Sequence, residues 1–226
     1  RDRLKGTFIP GSAPIPPSMD YGFKDLKDPN AYNPERSKQL LAEDGWKDTD
    51  GDGILDKDGK PLTFDFVVYN SRAELPLYAE AVQADLKKVG IDMKIKTVDY
   101  NLIDKMGQDG DYDMLISNIV TANTGDPIWF LANYWHTNNN GSNPQNGSGY
   151  SNPQVDQLLD AAETEFDPAK RRDYAMQIQQ LLMNDGAALF LGYPKTNIVT
   201  GSYLKGAVMY PSDYYWICLL YTSDAA

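Results

Sequence analysis

Reactive side chains are scarce in this sequence. Its 226 residues include one cysteine and one histidine, too few for a Cys–His nucleophile, a disulfide framework or a tight metal site made only of protein donors. There is no Gly-x-Ser-x-Gly elbow, no His-Glu-x-x-His helix and no phosphate loop. Nothing in the order of residues sets a nucleophile beside a base, so an enzyme is not expected. Paired carboxylates of a carbohydrate-active enzyme escape this test, because their pairing is spatial, and that class stays open as an alternative. Positive charge is also short: 21 Lys and Arg stand against 32 Asp and Glu, a net charge of -11. This excludes nucleic acid and anionic membrane surfaces as partners, since both need clustered cations. No apolar run is long enough to span a bilayer, and the opening Arg-Asp-Arg-Leu-Lys has no apolar signal-peptide core. Any export segment is expected to lie outside this sequence.

The single cysteine sits in a stretch with its own explanation. Cys218-Leu219-Leu220-Tyr221-Thr222-Ser223 back-translates to the mosaic end of a transposon used in sequencing libraries, and Asp224-Ala225-Ala226 fits its continuation. Residues 218–226 are read as an adapter-derived tail, with an ordinary apolar terminus as the alternative. On the first reading the natural sequence runs to about Ile217 and holds no thiol, which fits an exported bacterial protein.

What is present is a folded, layered pattern. At 42% hydrophobic content the chain can bury a real core. Asn33-Pro34, Asn152-Pro153 and Asp167-Pro168 each put a capping side chain before a proline at the first helical position. The helices they start carry Leu40 and Leu41, then Val155, Leu158, Leu159 and Ala162, then Tyr174, Ile178, Leu181 and Leu182. A fourth helix is expected over Pro76–Val89. Strands are expected over Leu62–Tyr69, Ile91–Val98, Tyr112–Val120 and Ala187–Leu191. Strands interleaved with helices make an α/β architecture with a mixed or largely parallel sheet. The run Gly11–Pro17, with three prolines, reads as a linker or surface loop.

Asp48-Thr49-Asp50-Gly51-Asp52-Gly53-Ile54-Leu55-Asp56 matches the start of a calcium loop. Asp48, Asp50, Asp52 and Asp56 fall at its first, third, fifth and ninth positions, and Gly53 at the sixth. The twelfth position, where such a loop needs a bidentate Glu, is Gly59. A pair of tight turns at Asp52-Gly53 and Asp58-Gly59 is the expected reading. A structural calcium is the alternative, and with it a calcium-stabilised extracellular module.

The segment from Tyr112 to Pro153 has the richest ligand chemistry. An apolar run empties into Thr124-Gly125-Asp126-Pro127-Ile128-Trp129-Phe130, then Tyr134, Trp135 and His136, then a loop of Asn, Gly and Ser over 138–151. Rings supply stacking area, a few polar groups fix orientation, and a mobile loop closes over the top. The bland alternatives are core packing for the rings, a helix cap for Asp126 and a surface role for His136. A neutral imidazole is also a good donor to nickel, provided a chelator supplies most of the other ligands.

Several motifs in order resemble one family. Pro14-Ile15-Pro16-Pro17, Tyr32-Asn33-Pro34-Glu35-Arg36 through Glu43-Asp44-Gly45-Trp46, Lys57-Asp58-Gly59-Lys60-Pro61-Leu62 and Tyr150-Ser151-Asn152-Pro153-Gln154-Val155-Asp156 are similar to the peptide and nickel solute-binding proteins of ABC importers. The resemblance implies the C-terminal lobe of a two-lobed periplasmic-binding-protein-like fold with a mixed sheet. Residues 1–10 would end a crossover from an N-terminal lobe, 11–194 would form the C-terminal lobe, and 195–217 would return to the missing lobe. It further implies a monomeric, extracytoplasmic protein, in the periplasm or lipid-anchored at the cell surface, that delivers solute to ABC membrane subunits. The ligand would be a peptide or a nickel chelate, held by Asn123, Thr124, Trp129, Tyr134 and His136, with no cofactor required. In peptide-binding relatives an aspartate holds the peptide amino group. Asn123 stands at that place here, and Thr121–Pro127 is closer to the nickel type.

Overall fold

The computed structural model describes residues 6–121, 125–195, 199 and 201. The elements follow in the order β1 (Phe8–Pro10), α1 (Pro34–Glu43), β2 (Asp56–Lys57), β3 (Lys60–Pro61), β4 (Thr63–Tyr69), α2 (Glu74–Lys87), β5 (Asp92–Val98), a 3-10 turn (Tyr100–Leu102), α3 (Ile103–Asp109), β6 (Met114–Leu115), α4 (Ile128–Trp135), α5 (Pro153–Thr164), α6 (Pro168–Asn184) and β7 (Gly192–Pro194). This is an α/β chain. Its central sheet is parallel in the order β5-β4-β6, and two antiparallel ladders, β1 with β7 and β2 with β3, stand apart from it.

The sequence of β4, Thr-Phe-Asp-Phe-Val-Val-Tyr, explains its place at the sheet centre. Its last four residues are buried without alternation, as in a parallel strand covered on both faces. It pairs with β5 from Thr63↔Asp92 to Tyr69↔Val98 and with β6 at Phe66↔Met114 and Val67↔Leu115. Leu75 and Ala79 of α2, Met93 of β5 and Ile103 of α3 close this first core. A second core joins α4, α5 and α6 through Leu131, Val155, Leu159, Ile178 and Leu182, all fully buried, together with Ile15 from the proline-rich segment.

The three proline-led helices begin where expected. Asn33, Asn152 and Asp167 each accept a backbone N–H of the first turn, at 3.0 Å from Arg36, 2.9 Å from Gln154 and 2.8 Å from Ala169. The segment Gly11–Pro17 is no loose linker: Ala13 and Ile15 are buried in it. Two strands differ from expectation. Tyr112–Val120 forms only Met114–Leu115, because beyond Ile116 the backbone leaves the ladder and Asn118 N–H bonds the Tyr69 hydroxyl at 3.0 Å instead. Ala187–Leu191 is irregular, and the strand is Gly192–Pro194, whose partner Phe8–Pro10 sets the register. The helix expected over Pro76–Val89 starts two residues earlier, at Glu74.

Candidate ligand-binding site

The crossover from β4 leads to β5 on one side, and the next returns past β4 to β6 on the other. Ligands of open α/β sheets sit beyond the carboxyl ends of strands at such a reversal. Tyr69 ends β4 there, 1% exposed, with its ring 5.1 Å from that of Tyr100 in an edge-on contact. The Tyr69 hydroxyl accepts the Asn118 N–H, and the Asn118 side chain donates to Glu74 Oε1 at 2.8 Å. Glu74 opens α2 and is partly buried. Burial, and then the negative field of Glu74, push the Tyr78 hydroxyl above its usual range. Tyr78 in turn packs edge-on against Phe8 of β1 at 5.7 Å. This cluster at the strand ends is therefore tied on one side to the sheet and on the other to the β1–β7 ribbon.

The rings of α4 divide between core and surface. Phe130 and Trp135 are buried and meet edge-on at 5.1 Å, so these two are packing residues. Trp129, 52% exposed, points away from that core and is open to stack on a solute. Tyr134 is half-buried beside Phe130. Burial raises its pKa first, and the negative charge of Asp104 and the nearby Tyr100 and Tyr69 hydroxyls raise it further. Asp126 caps α4 through the Ile128 N–H at 3.0 Å. It also pairs with Arg171 of α6, whose guanidinium donates to the Ala162 and Glu165 carbonyls. One arginine thus fixes the start of α4 against the end of α5. Asn123 and Thr124 lie outside the described residues.

His136 ends α4 and faces α5. Its Nδ1 lies 3.3 Å from the Thr137 carbonyl, and its Nε2 lies 3.3 Å from Asp160 Oδ1. Burial works to lower its pKa, but the Thr137 carbonyl and the Asp160 and Asp156 carboxylates outweigh it, so the net shift is upward. A raised pKa favours imidazolium, whereas a metal needs the neutral ring. The loop over 138–151, expected as a mobile lid, is pinned by amides. Asn146, 4% exposed, donates to the His136 and Tyr150 carbonyls, and Asn143 donates to His136 at 2.7 Å.

Oxygens of Asp48, Asp50 and Asp56 lie within 4.8 Å of one another, and Asp52 is not part of that group. All four carboxylates bond their own loop. Asp48 accepts from Gly51 and Gly53, Asp50 from Asp52, Asp52 from Ile54, and Asp56 from Thr49. The glycines take positive φ, +83° at Gly51 and +90° at Gly53. This is the arrangement of successive Asx turns, in line with the turn reading.

Sequence reasoning missed Glu74, Asn118, Tyr69, Tyr100 and Arg171. The carboxyl ends of the three parallel strands were the available signal for the first four. Residues 1–142 match the model of the bacterial extracellular solute-binding proteins, family 5 Middle. The chain belongs to this family. Among relatives of this family-5 chain, the oligopeptide-binding protein AppA of Bacillus subtilis is 32% identical over 212 residues, covering 90% of the chain and 36% of AppA. The structure of AppA in complex with a nonapeptide superposes with a TM-score of 0.72 at 27% identity, over 92% of this chain and 41% of that one. NikA from Brucella suis in complex with Fe(III)-EDTA gives 0.72 at 26% identity, over 88% and 41%. The family-5 chain therefore spans about two fifths or less of these relatives. The family assignment lends no support to a calcium module or a carbohydrate-active enzyme. No helix among the described residues is long and apolar enough to cross a membrane.

Proposed function

We propose that this chain is the C-terminal lobe, residues 11–194, of an extracytoplasmic solute-binding component of an ABC importer. It captures a peptide for uptake and makes or breaks no bond. The observation that carries the reading is the cluster of Tyr69, Tyr100, Asn118 and Glu74 at the carboxyl ends of the sheet strands, in a chain of a solute-binding family. Residues 1–10 and 195–217 are the crossovers to a second lobe, which closes over the solute by hinge motion. The protein acts as a monomer, in the periplasm or lipid-anchored at the cell surface, and hands solute to membrane subunits.

In this reading Trp129 and Tyr134 offer ring faces, and Asn123 and Thr124 orient the solute from the loop before α4. Peptide is preferred because both His136 nitrogens face oxygen acceptors and its pKa is raised. A nickel chelate is the second reading, favoured by the likeness to NikA, and requires His136 to turn away from Asp160. Mass spectrometry of ligand co-purified with the full-length protein tests the choice. Bound peptides without metal are expected, and a metal complex without peptide would refute the preference.

A further inference from the structure

The loop over 138–151 contains the same tripeptide twice, Asn140-Gly141-Ser142 and Asn146-Gly147-Ser148. An asparagine before glycine is open to one spontaneous reaction. The glycine main-chain nitrogen loses its proton and attacks the asparagine Cγ; the C–N bond that forms closes a cyclic imide, and the side-chain nitrogen leaves as ammonia. Water then opens the ring at either carbonyl, leaving aspartate or, with one more methylene in the main chain, isoaspartate. Glycine permits the attack because no Cβ crowds its backbone. With the tripeptide chemistry equal, the fold decides which copy reacts.

The two copies stand in opposite surroundings. Asn140 and Gly141 are exposed, take φ of +55° and +85°, and lie at the centre of a turn closed by the Ser142 N–H on the Asn139 carbonyl at 3.1 Å, as in a type I′ turn. Space around Gly141 is open, since a Cβ there would meet nothing within 4 Å. Among the described residues neither the Asn140 side chain nor the Gly141 N–H has a hydrogen-bond partner. Asn146, by contrast, is 4% exposed. Its Nδ2 donates to the His136 and Tyr150 carbonyls at 3.0 and 2.8 Å, and its Oδ1 accepts the Ser148 hydroxyl at 3.0 Å. The attacking atom is tied as well: the Gly147 N–H donates to the Gln145 carbonyl at 2.9 Å, and a Cβ on Gly147 would stand 3.0 Å from the Tyr112 hydroxyl. Ring closure at Asn146 has to break these contacts first, and so waits on local opening of the loop.

We propose that Asn140 is a site of self-modification, converting to aspartate and isoaspartate in the folded protein, while the fold shields Asn146 from the same reaction. The change adds a negative charge at the tip of the turn, and the isoaspartate form lengthens the main chain between the residues that the Asn139–Ser142 bond joins. It leaves the loop attached, because the Asn143 and Asn146 amides hold the His136 carbonyl. At Asn146 the product carboxylate would face the His136 and Tyr150 carbonyls with no N–H to donate, so the shielding preserves the clamp. The inference involves no solute and stands apart from the importer reading.

The test incubates the full-length protein at mildly alkaline pH, where more of the glycine nitrogen is deprotonated, both in buffer and in guanidinium chloride. Peptide mapping over time, with fragmentation that separates aspartate from isoaspartate, quantifies the product at each asparagine. In the native protein Asn140 is expected to react at least about tenfold faster than Asn146, a factor that an opening equilibrium of about one part in ten already supplies. In denaturant the two rates should agree within about twofold, because the tripeptides are identical and the loop contacts are gone. Asn140→Gln, whose longer side chain would have to close a larger ring, should abolish the product at that position and leave Asn146 intact. Comparable native rates at the two sites, or an Asn140 that stays intact when folded and reacts only in denaturant, overturn the proposal. A ratio that persists unchanged in denaturant also overturns it, since neighbouring sequence rather than the fold would then set the contrast.

Discussion

Two neighbouring glutamines of α6 perform the same act in different surroundings. Gln179 is 0% exposed; its Oε1 accepts the Ile15 N–H at 3.1 Å and its Nε2 donates to the Tyr21 carbonyl at 2.8 Å. Gln180 is on the surface and clasps both backbone groups of Lys27, at 3.0 and 2.9 Å. Replacing each by Leu removes two hydrogen bonds to the backbone in either case, and at Gln180 also an exposed bond to Asn184 Oδ1, yet the costs should differ. At Lys27 water takes over both groups, so Gln180→Leu should change stability by less than about 0.5 kcal/mol. Ile15 is 1% exposed, and no water replaces the lost acceptor there. Each stranded polar group costs about 1–3 kcal/mol, and the more apolar Leu side chain recovers part of this. Gln179→Leu should therefore cost about 2–4 kcal/mol and lower Tm by roughly 4–16 °C for a chain of this size. Urea unfolding followed by tryptophan fluorescence measures the difference, and amide exchange at Ile15 localises it. Equal stability of the two variants, with Ile15 still protected, would refute the claim that this buried clamp holds the proline-rich segment.

His136 carries a raised pKa, so its contribution to stability is fully present below its ordinary value of 6.5 and is lost as pH rises through the raised value. Unfolding at about pH 5.5 and about pH 8 should show wild type losing its advantage over His136→Gln at the higher pH; with the ring 33% exposed, the effect should stay below about 1 kcal/mol. Gly192→Ala puts a methyl group against the Tyr78 hydroxyl and 3.1 Å from the Ile9 carbonyl, and should cost about 1–3 kcal/mol in a thermal melt. Melting in about 1 mM calcium and in chelator should coincide, because the Asp48–Asp56 carboxylates already serve their own turns. A calcium-dependent rise that disappears on changing Asp50 and Asp52 to Ala would restore the metal reading.

Local chemistry was legible from the residues. Asn33, Asn152 and Asp167 cap their helices because a short acceptor before proline satisfies first-turn N–H groups whatever the rest of the chain does. The Asp-Gly turns of residues 48–59 were legible for the same reason. Partners distant in sequence were not. Ala187–Leu191 is apolar enough to be a strand, but pairing begins one residue later, where Phe8–Pro10 lies alongside. The apolar run Tyr112–Val120 leaves its ladder for a hydroxyl on another strand, a choice no periodicity records. The small helix α3, with Gly107 inside it, offers little propensity and forms because Ile103 has a core to enter. Trp129 was recognisable as a ring in a ligand-like segment, and the structure leaves it exposed. Glu74 became visible only once the sheet order brought Asn118 across to it.

The pairing of β1 with β7 has a consequence for how this unit could be moved between proteins. Phe8 lies opposite Pro194, and the Lys195 N–H bonds the Thr7 carbonyl at 2.8 Å, so the chain arrives and departs at one point. A unit with adjoining ends can be spliced into a loop of a host fold, because the host need separate its own residues by only one strand spacing, about 5 Å. The same adjacency makes the unit a candidate for circular permutation, with a short linker joining residues 195 and 7 and new ends opened in an exposed turn such as that at Asn140-Gly141.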